Sequence, residues 1–253
     1  RDSFLYFCER IMFGPAVGIL DPRPLSAFHA ELITEIGKPH PGHGLRERLQ
    51  LWPRTHLKTY ICSIAYPLWR MLREPDIRIL VISETEKLAR KIIDSNRAAL
   101  ESAAFRNLYG DLRGPHWRGR ELIISTRRNT ILKDPTIAVA SVETSETGGR
   151  WDLIIPDDLH GEKNVSTREQ IDKVKRCYGL LLPLLEPPGD ILSAATRWDE
   201  ADLYGDLIAR LPASAVQIRR AILPDNSILF PERFSHEIFN SMKNARSLGT
   251  YMF

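Results

Sequence analysis

From about residue 46 to residue 222, short apolar runs of strand length alternate with longer amphipathic patterns of helical period, and this alternation constrains the fold more than any other feature of the chain. Leu45 to Trp52 reads as a strand, Lys58 to Leu72 as a helix, and Arg78 to Ser83 as a strand. Glu84 to Leu100 reads as an amphipathic helix with Leu88, Ile92 and Leu100 turned inward. Strands follow at Thr136 to Ser141 and Asp152 to Ile155, then a helix from about Ser166 to Leu184. A strand at Asp190 to Ala195, a helix from about Glu200 to Arg210 and a strand near Ala215 to Ile222 complete the pattern. Such alternation predicts an α/β fold, a mostly parallel sheet flanked by helices. Runs such as Leu153-Ile154-Ile155 suit strands buried on both faces.

Around this core, residues 1–44 carry two helical patterns, about 3–13 and 24–37, and are expected to form an N-terminal helical arm or lid. Residues 45–225 form the expected core, and residues 226–253 a C-terminal segment with a helix near Ser235 to Ser247. A small hairpin insert is expected where Glu121-Leu122-Ile123-Ile124 is answered by Thr130-Ile131-Leu132 across the basic tip Arg127-Arg128-Asn129.

Composition excludes several classes. With 253 residues, 43% of them hydrophobic, the chain can bury a substantial core, so disordered and fibrous classes fall away. The net charge of +3 does not by itself announce a nucleic-acid binder, so a polyanion must be met by a local patch. Cys8, Cys62 and Cys177 are odd in number and far apart, which gives no disulfide framework or CxxC site and predicts a reducing compartment. No apolar run reaches the roughly 18 to 20 residues of a membrane span, and the first ten residues are too charged for a signal peptide. The start without methionine and the abrupt end suggest a fragment of something longer.

Three segments carry chemistry. Leu51-Trp52-Pro53-Arg54-Thr55-His56-Leu57-Lys58-Thr59 lies where a strand ends and a helix begins. There the helix N-terminus offers N–H groups and a positive dipole end, Lys58 a charge for β and γ phosphates, and Thr59 a hydroxyl for Mg²⁺. The usual phosphate loop has glycines where Trp52 or Pro53 and Leu57 stand, so an ordinary strand–loop–helix junction accounts for these letters as well. The second segment, Trp151 to Asp158, is an apolar strand ending in two carboxylates, suited to hold Mg²⁺ and orient water, or equally a solvated Asp-Asp turn. In the third, Ile191 to Asp199, a strand again runs into polar residues. Thr196 there is placed to sense a γ phosphate, Arg197 to face it or a neighbouring element, and Asp199 to cap the next helix. All three lie at predicted carboxyl ends of parallel strands, where such sheets bind ligands.

In these motifs the sequence resembles the ATPase domain of the terminase large subunit, the DNA-packaging motor of tailed bacteriophages, over about residues 25–253. That family has a deviant Walker A of the type Pro-Arg-x-x-x-Lys-Ser/Thr, which stands here as Pro53-Arg54-Thr55-His56-Leu57-Lys58-Thr59. Its Walker B is matched by Leu153 to Asp158, followed by Glu162-Lys163-Asn164-Val165-Ser166-Thr167. Its coupling motif is matched by Ala195-Thr196-Arg197-Trp198 and Asp202-Leu203-Tyr204-Gly205. The resemblance implies a P-loop NTPase of the additional-strand type, using ATP and Mg²⁺. It places Pro53 to Thr59 on the nucleotide, with Lys58 on the β and γ phosphates, Thr59 and Asp157 on the metal, Arg54 near the γ phosphate and Thr196 as its coupling residue. Many relatives carry a catalytic glutamate where this chain has the shorter Asp158, which leaves the general base open between Asp158 and Glu162.

The implied function is ATP hydrolysis driving double-stranded DNA into a procapsid, in the host bacterial cytoplasm at the portal vertex. Portal protein, procapsid and small terminase subunit are the implied partners, with a pentameric ring on the portal and a monomer in isolation. The nuclease domain of relatives is not expected in this chain. Two other readings stay open: a helicase-like nucleic-acid-stimulated ATPase, and a non-hydrolysing nucleotide-binding scaffold. Ring motors often complete a site with a neighbour's arginine, for which Arg150 is the candidate, although a solvent-exposed loop arginine fits equally. Arg118, Arg120, Arg127 and Arg128 are candidates for DNA phosphates, or a solvated basic turn. His40-Pro41-Gly42-His43 lacks the acids or cysteines of a zinc site. His56 is expected to shape the loop, and Tyr178, Leu180 to Leu185, Trp69 and Trp117 are read as ordinary packing.

Overall fold

The computed structural model describes residues 3–14, 17–20, 25–144 and 148–245. Among these, eight strands form one sheet: β1 Arg46–Leu51, β2 Ile79–Ser83, β3 Arg113–Arg118, β4 Glu121–Ile124, β5 Ile137–Ser141, β6 Trp151–Asp157, β7 Leu185–Ala195 and β8 Val216–Ile218. Their order is β3-β4-β5-β2-β6-β7-β1-β8. From β5 to β8 all neighbours are parallel, and β4 and β3 add an antiparallel edge. β7 lies between β1, which leads into the Lys58 loop, and β6, which ends in Asp157. That interposed strand is the additional strand expected of this P-loop NTPase type.

Each residue of β2 and of β5 is buried, because helices cover both faces of the sheet. Alternation then divides the apolar side chains between two cores. On one face Ile79, Val81, Val139, Leu153 and Ile155 pack with α1 (Phe4–Phe7), α2 (Ala27–Ile36), α3 (Tyr66–Arg73), α4 (Glu86–Glu101) and α5 (Ala103–Tyr109). On the other, Leu80, Ile82, Ala138, Ala140 and Ile154 pack with α6 (Arg168–Leu181) and α7 (Leu203–Arg210). The N-terminal helices share the first core: the Phe4 ring lies 5.2 Å from both Tyr66 and Trp69. Phe230, Phe234 and Phe239 of the C-terminal segment enter the same core. The last helix, α8, is His236–Ala245, so the final positions expected in it lie outside the described residues, as does position 24 of the second helix.

Several expectations are corrected. The hairpin joins β3 to β4 and not Glu121–Ile124 to Thr130-Ile131-Leu132, with Arg118 opposite Glu121 and Trp117 opposite Leu122. Gly119 at φ 65° makes this tight reversal, a conformation glycine adopts without steric cost. The Arg127-Arg128-Asn129 stretch is instead a loop anchored by the Arg128 and Asn129 N–H groups, which donate to Asp76 Oδ1 at 2.8 and 2.7 Å. Leu88 does not face inward; it is 37% exposed, and α4 buries Ala89, Ile92, Ile93, Asn96, Ala99 and Leu100. The cap of α7 is Asp202, which accepts from Gly205 N, and not Asp199. Leu180, read as core, is 50% exposed. No described helix is long and apolar enough to cross a membrane.

Candidate nucleotide-binding site

Register brings the three motif segments together. Leu51 of β1 pairs with Ala195 of β7, and Ala194 pairs with Asp157 of β6. The loop leaving β1, the two acids ending β6 and Thr196 leaving β7 therefore meet at one carboxyl edge, the edge at which parallel sheets bind ligands. The loop, Asp158 and Thr196 line a cavity of about 430 Å³, in the range of ligand sites, and Asp157 lines the neighbouring cavity together with Thr59. In the first, Pro53, Arg54, Thr55, Leu57, Lys58, Thr59 and Tyr60 form one wall, and Glu84, Leu88, Asp158, His160, Gly161, Thr196 and Arg233 the rest.

The loop achieves without glycine what glycine normally provides. Thr55 and Leu57 stand at φ 65° and 62°, in the left-handed region, where a branched side chain costs on the order of 1 kcal/mol or more. Burial of Leu57, only 5% exposed, offsets that cost. His56 fixes the turn between them, since its Nδ1–H donates to the Arg54 carbonyl at 2.8 Å and its ring stacks on Phe234 at 5.0 Å. From α2, His29 reaches the same turn. The Ser26 N–H donates to His29 Nδ1 at 3.2 Å, which leaves the proton on Nε2 to donate to the His56 carbonyl at 3.1 Å. Burial lowers the His29 pKa to about 4, so the neutral form is the one that holds the loop. His56 thus shapes the loop, as expected.

Past Leu57 the chain turns directly into a helix beginning at Lys58, whose π-helical turn Tyr60–Ala65 runs into α3. Lys58 is 5% exposed, and a buried ammonium requires partners. Its Nζ donates to Asp158 Oδ1 at 2.8 Å and to Thr196 Oγ1 at 2.7 Å. Asp158 Oδ1 also accepts from Thr196 N at 2.8 Å, so one carboxylate joins the loop lysine to the end of β7. Beside it the Thr59 hydroxyl donates to Asp157 Oδ1 at 3.2 Å. Burial, with Asp158 adding to it and Lys58 opposing, raises the Asp157 carboxyl to about 7. A hydroxyl and a buried carboxylate in want of a cation fit Mg²⁺, which takes one or two protein oxygens and fills its shell with phosphate and water. Among the described residues no cluster of three or more His, Cys, Asp or Glu forms another metal site, His40 and His43 included.

Arg54 stacks over the Trp198 ring, its guanidinium carbon 4.2 Å from the centroid. The loop after β1 thereby touches the segment after β7. Arg197 turns back on its own loop, donating to the Asp199 and Glu200 carbonyls at 3.0 and 2.9 Å. Gln50, buried, accepts from Trp52 Nε1 at 3.2 Å.

Other expected site residues are not gathered here. Glu162 is exposed in a 3-10 turn and does not line the cavity. Arg150 precedes β6 and so lies at the opposite edge of the sheet, its Nε 3.4 Å from Glu186 Oε1. The basic residues differ among themselves: Arg118 is exposed, Arg120 pairs with Glu86 at 2.5 Å, and Arg127 donates to the Asp134 carbonyl at 2.8 Å. Conversely, sequence reading missed Glu84, Gly161 and Arg233. Glu84 carried the same signal as Asp158, an acid directly after a buried apolar strand, but read as the start of a helix. Arg233 comes from the C-terminal segment, where no local pattern marks it.

The comparisons with known proteins agree with this geometry. No family model matches the chain. The terminase large subunit of Enterobacteria phage T3 is 27% identical over 161 residues, 59% of this chain and 25% of that protein. The crystal structure of the HK97 bacteriophage large terminase matches with a TM-score of 0.57 and 16% identity, covering 99% of this chain and 48% of that one. A structure of S. cerevisiae Dbp5 bound to RNA and ADP BeF3 gives a TM-score of 0.45 at 11% identity, over 78% of this chain and 47% of that one. The chain thus spans about a quarter of the curated relative and about half of the solved large terminase. Motifs, a curated relative and the fold converge on a likeness to the terminase large subunit.

Proposed function

We propose that the chain hydrolyses ATP at this cavity and that hydrolysis drives double-stranded DNA into a procapsid, as the motor part of a terminase large subunit. The observation that carries the reading is the buried Lys58 ammonium held between Asp158 and Thr196, next to the Thr59–Asp157 pair. In this reading the β and γ phosphates of ATP replace Asp158 as the partner of Lys58, and the N–H groups opening the helix at Lys58 bind phosphate oxygens. Thr59 and Asp157 hold Mg²⁺, which neutralises charge on the phosphates when bound. Arg54 approaches the γ phosphate from the Trp198 face, and Thr196 reports the loss of that phosphate to the loop after β7. Portal protein, procapsid, small terminase subunit and a homo-oligomeric ring are the partners that this role brings. Arg150, exposed at the far edge, is the side chain proposed to complete a neighbour's site in such a ring. Cleavage of DNA is not assigned to this chain.

The test is steady-state ATP hydrolysis by the purified chain with Mg²⁺, with and without DNA, for wild type and Lys58→Ala. Turnover by wild type and its loss in Lys58→Ala is the expected result. ATP binding without turnover under all these conditions would instead establish a nucleotide-binding scaffold.

A further inference from the structure

We propose that Glu84 is the general base of the reaction, the carboxylate that takes the proton of the attacking water. The assignment rests on the ATPase reading above and identifies a residue that the motifs do not point to. β2 pairs with β6 so that Ser83 stands opposite Asp157. Glu84 therefore leaves the sheet beside Asp158, at the same carboxyl edge, and lines the same cavity as Lys58 and Thr196. Its carboxylate is seated over Gly161: a Cβ at that glycine would lie 2.2 Å from Glu84 Oε2 and 2.6 Å from Oε1. A side chain at position 161 would displace this carboxylate, the movable end of Glu84.

The two carboxylates expected to serve as base are less suited. Asp158 Oδ1 already accepts from the Lys58 ammonium and from Thr196 N, so it is turned to those two donors and away from a water. Its place beside Lys58 is also the place a γ phosphate must take. Glu162 lies outside the cavity. Glu84 is half-buried, and its burial, with Glu143 adding to it, raises its carboxyl, in the direction a general base needs. In the reaction the water oxygen forms a bond to the γ phosphorus as the bridging bond to the β phosphate breaks. The bond's electron pair stays on ADP, and the water proton passes to Glu84, which returns it to solvent as phosphate leaves.

Glu84→Gln removes the proton acceptor while keeping shape. The expected result is a fall in kcat of about 10² to 10⁴-fold with the dissociation constant for a fluorescent ATP analogue and Mg²⁺ essentially unchanged, which also reports an intact fold. The acid limb of the wild-type pH profile of kcat should be missing from the residual rate. Gly161→Ala, which displaces the carboxylate, should lower kcat in the same sense with binding retained, whereas Glu162→Gln, outside the cavity, should keep most turnover. Wild-type turnover matched by Glu84→Gln overturns the assignment and leaves the ATPase reading standing. A wild-type chain that binds ATP and never hydrolyses it overturns both.

Discussion

Lys58 and Asp158 form an ion pair, 2.8 Å from Nζ to Oδ1, in which the lysine is 5% exposed and the aspartate 37%. The pair occupies the position that the nucleotide reading gives to phosphate, so Asp158 acts as a stand-in anion for a buried cation that would otherwise be uncompensated. Nucleotide binding must break this pair. Asp158→Asn removes the competitor and should tighten ATP binding by about tenfold, equivalent to roughly 1.4 kcal/mol. Lys58→Ala removes charge-assisted hydrogen bonds worth about 1.5 to 3 kcal/mol and should weaken binding by about 10- to 100-fold. Titration of both variants with a fluorescent ATP analogue decides the matter. Weaker binding in Asp158→Asn would show that the carboxylate supports the nucleotide and does not compete with it.

The Leu57 backbone offers a test of how a glycine-free phosphate loop is held. Its φ of 62° is unfavourable for leucine, and its side chain is buried in the core shared with Trp52 and Ile61. Leu57→Ala loses the burial and retains the strain, a cost of about 2 to 5 kcal/mol. Leu57→Gly loses the same burial but relaxes the backbone, recovering about 1 kcal/mol. Urea unfolding should therefore rank wild type above Leu57→Gly, and Leu57→Gly above Leu57→Ala. A reversed order of the two variants would mean that the left-handed turn carries no strain.

Much of this site could be read from the sequence because each motif sits within a short stretch. A fully buried parallel strand is a near-continuous apolar run, so the polar residues ending β1, β6 and β7 stood out against it. The missing glycines could not be resolved locally, since the turn at Thr55 and Leu57 is held by His29 from α2 and Phe234 from the C-terminal segment. Glu84 was hidden for a different reason: Thr85, the cap of α4, follows at once, and an acid beside a cap reads as a helix start. The hairpin was misplaced because Gly114 and Pro115 break the strand signature of β3, while the Arg127-Arg128-Asn129 stretch looks like a turn. Leu88 fits a helical period with Ile92 yet faces the cavity, because α4 turns the small Ala89 and Ala99 toward the sheet. Periodicity finds a helix; it does not fix the helix's rotation when small residues can serve as the inner face.

Arg54 over Trp198 links the loop after β1 to the segment after β7 across a 4.2 Å cation–π contact. Partly exposed contacts of this kind contribute about 0.5 to 1 kcal/mol. A double-mutant cycle with Arg54→Ala and Trp198→Ala, read by urea unfolding, should give a coupling of that size in the absence of nucleotide. With ATP and Mg²⁺ bound, the coupling should fall, because the γ phosphate draws Arg54 from the ring. A coupling unchanged by ATP would disconnect Arg54 from the γ phosphate.

Acid should loosen the phosphate loop before it unfolds the rest of the sheet. His29 is held neutral, with its pKa lowered from 6.5 to about 4 by burial. Between these values the unfolded chain binds the proton and the folded chain does not, so this contribution is complete above pH 6.5 and is lost as pH falls toward 4. The loss amounts to about 3 kcal/mol by pH 4. His56, also lowered by burial, adds in the same sense, while Asp157, raised to about 7, acts in the opposite one: its contribution is present at low pH and disappears as pH rises toward 7. Urea midpoints for wild type and His29→Gln between pH 7 and pH 5 separate the histidine from the acid. Over that interval His29→Gln, lower at pH 7, should lose less stability than wild type, or gain more. Parallel curves for the two proteins would show that His29 does not carry the acid response.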